Sequence, residues 1–347
     1  MANDLVQAPT AIDTPEAASQ HVFQIATGYI ASTALYVAVR LKIADRLVAG
    51  PKSAADLAEA TNANEDALYR VLRLLATLGV FTEVQPRTFA NNLPAKTMVS
   101  GERGSTYDMA LWMADPFHFR IYAHAMHSVM TGQSAVEKAT GAPVFEVFEK
   151  DPALSEVFNN AMTAFSAFII PAALDAYDFS GIDTLVDVAG GHGQVLITIL
   201  KKYPNMKGVL FDLPHVIKGA LPRIPAAGVE SRLSTETGDF WKRVPADGDA
   251  YIMKHIIHDW DDDRAVKILE NIHTVMKPGG RVILLESVLL PGSTQPDFGK
   301  LVDIEMLLMP GGRERTEEEF RALFKRAGFT LTRVVPTQSP LSVLEAR

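Results

Sequence analysis

The sequence predicts an α/β protein: a doubly wound, mostly parallel sheet of seven strands, preceded by an all-helical region that contains a winged-helix pattern. Three observations predict it. From residue 183 onward, short apolar β-type runs alternate with amphipathic helical runs, the rhythm of successive β/α units. The first of those runs ends in a glycine-rich corner, Ala189-Gly190-Gly191-His192-Gly193, where a parallel sheet meets its ligand. Before residue 180 the apolar periodicity is almost all helical.

The N-terminal part is read first. Ile25–Val39 forms an apolar helical run, interrupted by Thr27, Ser32 and Thr33 and followed by Arg40; it is too short to span a bilayer and is expected as a buried amphipathic helix. Ser53, with Asp56 three places on, caps a short helix over Ala54–Ala60. A longer helix then buries Leu68, Val71, Leu72 and Leu75 and stops at Gly79. Two short β runs follow, Val80–Val84 and Thr88–Ala90, joined by Gln85-Pro86-Arg87. Helix, turn, helix and a two-stranded wing could read DNA. Residues 40–103, however, carry nine basic and seven acidic side chains, with Glu65 and Asp66 opening the would-be recognition helix. That balance opposes nucleic acid, and dimerisation or a lid is expected instead.

Residues 105–175 are rich in aromatics and methionine, most of them plain helical core and some expected to line an apolar pocket. The strands of the sheet are then Thr184–Val188, Gly208–Phe211, Leu233–Thr237, Ala250–Lys254 and Arg281–Glu286, with two more near Thr330–Val335 and Ser342–Leu344. Helices over Arg264–Met276 and Glu317–Ala327 lie between them, the second capped by Thr316 with Glu319 and stopped by Gly328. Three parts are expected: 1–104, a winged-helix dimerisation domain; 105–180, a helical linker and acceptor-pocket region; and 181–347, the catalytic sheet.

Composition narrows the function. The chain has 347 residues, 48% of them apolar and 21% charged, and a net charge of 33 − 41 = −8. This fits a soluble enzyme and argues against nucleic acid or an anionic membrane as partner. The absence of cysteine excludes disulfides, thiolate metal sites and a cysteine nucleophile. The first residues show neither a basic region nor an apolar core, so no signal peptide and a cytoplasmic location are expected.

Chemistry is expected at the carboxyl ends of the strands. These ends carry Asp187 and Gly190; Asp212; Gly238-Asp239-Phe240; Lys254, His255, His258 and Asp259; and Glu286. The glycines are too tightly spaced for the dinucleotide fingerprint, while Asp212, 19 positions after Gly193 (212 − 193), suits two ribose hydroxyls. A cofactor with ribose and no phosphate, S-adenosylmethionine, fits. Asp239 beside Phe240 suits an adenine. His258 can act as a base at neutral pH if an acceptor holds its other nitrogen, and Glu286 and Glu314 are candidates for that support. A histidine at a strand end is otherwise most often structural. Metal ligation by His255, His258 and Asp259, Asp261, Asp262 and Asp263 is the other reading, but the Asp run better caps the helix starting near Arg264, and no metal is expected.

The motifs Leu-Val-Asp-Val-Ala-Gly-Gly-His-Gly, Phe-Asp-Leu-Pro-His-Val, Gly-Asp-Phe, Met-Lys-His-Ile-Ile-His-Asp-Trp and Gly-Gly-Arg-Glu-Arg-Thr together resemble those of the S-adenosylmethionine-dependent O-methyltransferases of the caffeic-acid and acetylserotonin type, over nearly the whole chain. The resemblance implies a Rossmann-like methyltransferase sheet, metal-independent transfer, and His258 as general base flanked by Glu286 and Glu314. It implies cofactor contacts from Gly190, Asp212, Leu213, Asp239, Phe240 and Lys254, with Met162 and Ser166 at the methionine end and S-adenosylhomocysteine as product. It implies a homodimer through the N-terminal helices. Weaker acceptor-pocket candidates are Trp112, Met113, Phe117, Leu154, Phe158, Asp259, Met306 and Met309, which suit a flat apolar hydroxylated acceptor. Ala189 replaces a glycine common in relatives and is accommodated if its φ is negative; His192 stands where plant members often have threonine. Two alternatives stay open: a cofactor-binding relative that decarboxylates or hydroxylates, and a winged-helix ligand-sensing regulator.

Overall fold

The computed structural model describes residues 12–347 except residue 103, in two compact units. One comprises the described residues up to Phe119 with Glu156–Ala164, the other Arg120–Ser155 with Phe165–Arg347. The helix Pro152–Ala176 contributes to both.

The N-terminal unit opens with the helix Pro15–Arg40, capped by the Thr14 hydroxyl. It is longer than the sequence suggested, and with Pro152–Ala176 it is long and apolar enough to cross a bilayer by length and composition. The expectation of a buried helix needs correction. Ala34, Ala38 and Val39 are buried, but Val22, Phe23, Ile25, Tyr29 and Ile30 are exposed, so the first half presents its apolar side chains outward. The helix Ala54–Thr61 carries the expected Ser53–Asp56 capping box, and Glu65–Thr77 packs Leu68, Leu72 and Leu75 inward. A three-stranded sheet, β1 (Lys52–Ser53), β2 (Thr82–Gln85) and β3 (Thr88–Ala90), completes the wing in the order β1-β3-β2. Arg87, at the wing tip, bonds Glu65 at 2.8 Å and lies 4.2 Å from the Tyr69 ring centroid. The wing's arginine is therefore committed to the helix that would otherwise read DNA.

The second unit is built on β4 (Thr184–Val188), β5 (Lys207–Asp212), β6 (Leu233–Thr237), β7 (Ala250–Lys254) and β8 (Arg281–Glu286). A short parallel pair, β9 (Val288–Leu289) with β10 (Arg315–Thr316), precedes β11 (Leu331–Pro336) and β12 (Ser342–Ala346). The sheet order is β11-β12-β8-β7-β4-β5-β6, with β12 antiparallel to both neighbours. All seven strands lie where the sequence placed them. The central ones are apolar runs that suit strands covered on both faces, whereas β6 and β11, at the edges, are mixed and partly exposed. Val186, Ile252, Ile283 and Leu284 are fully buried, and Phe320 and Phe324 of the Glu317–Arg326 helix close the core. Strand order reverses between β4 and β7, which pair directly. A crevice at their carboxyl ends is where such a sheet binds its ligand.

Candidate active site

Beyond β4 the chain turns through the glycine corner into the helix Gln194–Lys202. Gly190 is required there: a Cβ would lie 2.5 Å from both the Asp187 carboxyl carbon and Leu210. Ala189 has φ +56°, contrary to the negative φ expected, so an alanine occupies the left-handed region that glycine adopts without strain. At the end of β5, the Asp212 oxygens accept hydrogen bonds from Gly191 N at 2.8 Å and Leu213 N at 2.7 Å. These fix the carboxylate plane while leaving lone pairs for two hydroxyls. Burial raises its pKa. Asp187 is buried with Oδ2 unpartnered, and burial pushes its carboxyl up to about 7.

After β6, Asp239 Oδ1 accepts from Trp241 N. The Asn271 amide donates to Phe240 O and Trp241 O, which pins the loop, and the Phe240 ring packs on Trp241 and Trp260. Lys254 ends β7 beneath the Phe165 ring at 5.7 Å, and desolvation draws its ammonium down to about 8. Ser166, beside Phe165, is buried; Leu213 is 38% exposed at the mouth. A glycine cradle, a ribose-type carboxylate and an aromatic wall fit an adenosyl group.

His258 sits on a one-turn 3-10 helix, Ile257–Asp259, directly after β7. Its Nδ1 meets Glu314 Oε1 at 2.6 Å and lies 3.9 Å from Glu286 Oε2, while Nε2 is 3.5 Å from Asp259 Oδ1. Histidine and both glutamates are buried. Glu286 Oε1 accepts from Ile256 N and Ile257 N, so the same carboxylate that faces the imidazole also holds its turn. Burial raises Glu286 and Asp259 to about 7 and Glu314 well above the usual carboxylate range. The Glu314–Nδ1 contact holds the ring; with Glu314 ionised, the proton sits on Nδ1 and Nε2, 3.5 Å from Asp259, is the acceptor.

His255 stacks on His258, ring centroids 4.5 Å apart at 29°, and lies 5.5 Å from the Phe165 ring centroid. It has φ +53°, a strained value for a non-glycine residue. Donor atoms of His255, His258 and Glu286 lie within 4.8 Å of one another, but stacked rings aim their lone pairs side by side instead of at one ion. The Asp run is spent elsewhere: Asp261 caps the helix at Arg264 N, Asp262 binds Arg315, and Asp263 pairs with Arg326.

Met306 and Met309 are buried on and just after the helix Phe298–Leu308, where Ser134 donates to Met309 O at 2.6 Å. Leu154 belongs to this unit. Trp112, Met113, Phe117, Phe158 and Met162 belong to the N-terminal unit, where Trp112 packs against Phe117, His118 and Phe158. Sequence reasoning missed Arg315, fully buried beside Glu314, and Phe165, the neighbour of His255 and Lys254. The signal for Arg315 was the charged triplet Arg313-Glu314-Arg315 following two glycines.

Comparison with known proteins agrees with this geometry. The family model of an O-methyltransferase domain matches residues 122–330, and that of an O-methyltransferase dimerisation domain matches residues 23–101. The phenazine O-methyltransferase PhzM of Lysobacter antibioticus is 42% identical, covering 95% of this chain and 96% of that protein. The mitomycin biosynthesis 6-O-methyltransferase of Streptomyces lavendulae is 36% identical over 95% of each. Among solved structures, LaPhzM superposes with a TM-score of 0.92 at 42% identity (95% and 98% of the two chains). CalO1 with bound S-adenosylhomocysteine gives 0.81 at 32% identity (96% and 98%).

Proposed function

This chain belongs to the O-methyltransferase family, with S-adenosylmethionine as methyl donor, and from that premise we propose that His258 is the general base that takes the acceptor's hydroxyl proton. The observation that carries this reading is the 2.6 Å contact between His258 Nδ1 and Glu314, with Glu286 on the same side. When bound, S-adenosylmethionine supplies an electrophilic methyl group on a sulfonium. The protein contributes alignment and deprotonation. Glu314 holds the ring, Glu286 and Glu314 balance the imidazolium that forms, and Asp259 orients the acceptor oxygen. Gly190, Asp212, Leu213, Asp239, Phe240, Lys254 and Ser166 hold the adenosyl and methionine parts.

The acceptor is a flat, largely apolar aromatic or conjugated compound with a hydroxyl. Met306, Met309 and Leu154 supply walls from the unit that carries His258; the fused-ring and aromatic acceptors named for the relatives support this. We place residues 1–104 as the dimerisation domain, 105–180 as linker and pocket, and 181–347 as the catalytic domain. The outward apolar side chains of Pro15–Arg40 make the homodimer contact, and the enzyme works in the cytoplasm. A labelled-methyl assay over phenols, catechols, indoles and fused-ring hydroxyl compounds tests the reading. One S-adenosylhomocysteine should form per O-methylated product; cofactor-dependent product without it would instead point to decarboxylation or hydroxylation.

Two further results are expected. Asp212→Ala removes charge-assisted bonds to two hydroxyls, each about 1.5–3 kcal/mol, so cofactor affinity measured by calorimetry falls about 100-fold or more. Unchanged affinity would contradict the ribose assignment. Activity should also rise with pH between 6 and 8. Glu286 and Asp259 titrate at about 7, so each is roughly one-tenth ionised at pH 6 and nine-tenths at pH 8. Only the ionised carboxylate steadies an imidazolium, so initial rates should show an acidic limb near neutrality, and a flat profile from pH 6 to 8 would count against it.

A further inference from the structure

We propose that Arg315 is a positioning residue that aims the His258 imidazole through the backbone of its turn; this rests on His258 being the base. The guanidinium is 1% exposed. Its Nη1 donates to Ile257 O at 3.1 Å, its Nη2 to Trp260 O at 2.8 Å, and Nε and Nη2 both reach Asp262 Oδ1, at 2.9 and 2.8 Å. One planar fork thus spans the turn from the residue before His258 to the residue after Asp259.

The turn has little to hold itself. Its own bonds, Asp259 N to Ile256 O and Trp260 N to Ile257 O, are long at 3.2 and 3.3 Å. On its amide side Glu286 takes Ile256 N and Ile257 N. On its carbonyl side Arg313 N donates to His258 O at 2.8 Å, and Arg315 takes the carbonyls at either end. The dipeptide Glu314-Arg315 therefore addresses the base twice, Glu314 at the ring and Arg315 at the chain that carries it.

Stability alone does not account for a charge here. Asp262, the one carboxylate it bonds, has a 47% exposed side chain, and a buried ion pair is often no more stabilising than apolar residues of equal volume. A lysine keeps the charge but cannot reach three acceptors at fixed angles. A displacement of about 1 Å at a catalytic group costs on the order of 100-fold in rate.

The test compares Arg315→Lys and Asp262→Ala in the parent and in His258→Ala, reading single-turnover rate, calorimetric cofactor affinity and the imidazole nitrogen resonances of His258. Arg315→Lys should lower the rate about 30-fold with cofactor affinity within about twofold, and shift those resonances. On top of His258→Ala it should add less than about twofold, since the two residues act as one unit. Asp262→Ala, which loosens the guanidinium from its exposed side, should give a smaller loss, about fivefold, and carries the test if Arg315→Lys does not fold. The proposal is overturned if the substitutions leave the rate within about threefold of the parent. It is equally overturned if the loss persists undiminished on His258→Ala, or if a slowed variant shows unmoved His258 resonances. Parental turnover in His258→Ala would remove the base reading itself, whereas failure of Arg315→Lys beside an inactive His258→Ala removes only the positioning role.

Discussion

Replacing His258 with alanine is expected to lower turnover by about 10³-fold, roughly 4 kcal/mol of barrier, while cofactor affinity stays within about twofold. The size follows from what the ring does. Hydroxyl deprotonation near neutral pH needs a base, and no other group in the cluster is held for it as well: Lys254 ends the strand beneath Phe165, and Glu314 is spent on Nδ1. The specificity follows from place, because the imidazole lies beyond β7 whereas Gly190 and Asp212 lie beyond β4 and β5. Steady-state rates with a labelled methyl donor, beside a calorimetric titration, check both halves. Turnover within tenfold of the parent would remove the assigned role.

Gly312→Ala should be nearly as damaging without touching the reacting groups. A Cβ at this position would lie 2.0 Å from His258 O and 2.4 Å from the Asp259 carbonyl carbon, backbone atoms that cannot rotate aside. Side-chain carbons essentially never approach closer than 3.0 Å, so the turn must retreat by about 1 Å or the 312–315 segment must lift off it. Either movement breaks the Arg313 N to His258 O bond and costs about 1–3 kcal/mol of stability. A rate loss of about 100-fold is expected, with cofactor affinity preserved and a lowered melting temperature. Turnover close to the parent's would show that the turn tolerates displacement.

Most of the fold was legible because its signals are local. The central strands are apolar runs, and the caps at Ser53–Asp56 and Thr316–Glu319 are short-range pairs read directly from spacing. The catalytic pair was legible only in part. His258 and Glu286 end neighbouring strands β7 and β8, so their meeting follows from topology. Glu314 and Arg315 reach the same point from a segment more than fifty residues beyond His258, which no periodicity encodes; the glutamate was named as one candidate support and given its place by the resemblance, and nothing supplied the arginine. Two expectations needed correction for one reason: backbone torsion and outward exposure are invisible in residue type. Ala189 adopts φ +56°, and the Pro15–Arg40 helix turns Phe23 and Ile25 outward because its apolar content exceeds what its own unit can cover.

The residues just past β4 and β7, Ala189 and His255, are both non-glycine and both left-handed, on adjacent strands. Each bend costs on the order of 1 kcal/mol. In return, a side chain at either corner forbids the many alternative torsions that glycine would visit. The two lips of the crevice are thereby pre-set in shape, at the expense of heat tolerance. Selection for thermal endurance alone would favour glycine at both positions and erode the stiffness that an incoming ligand exploits.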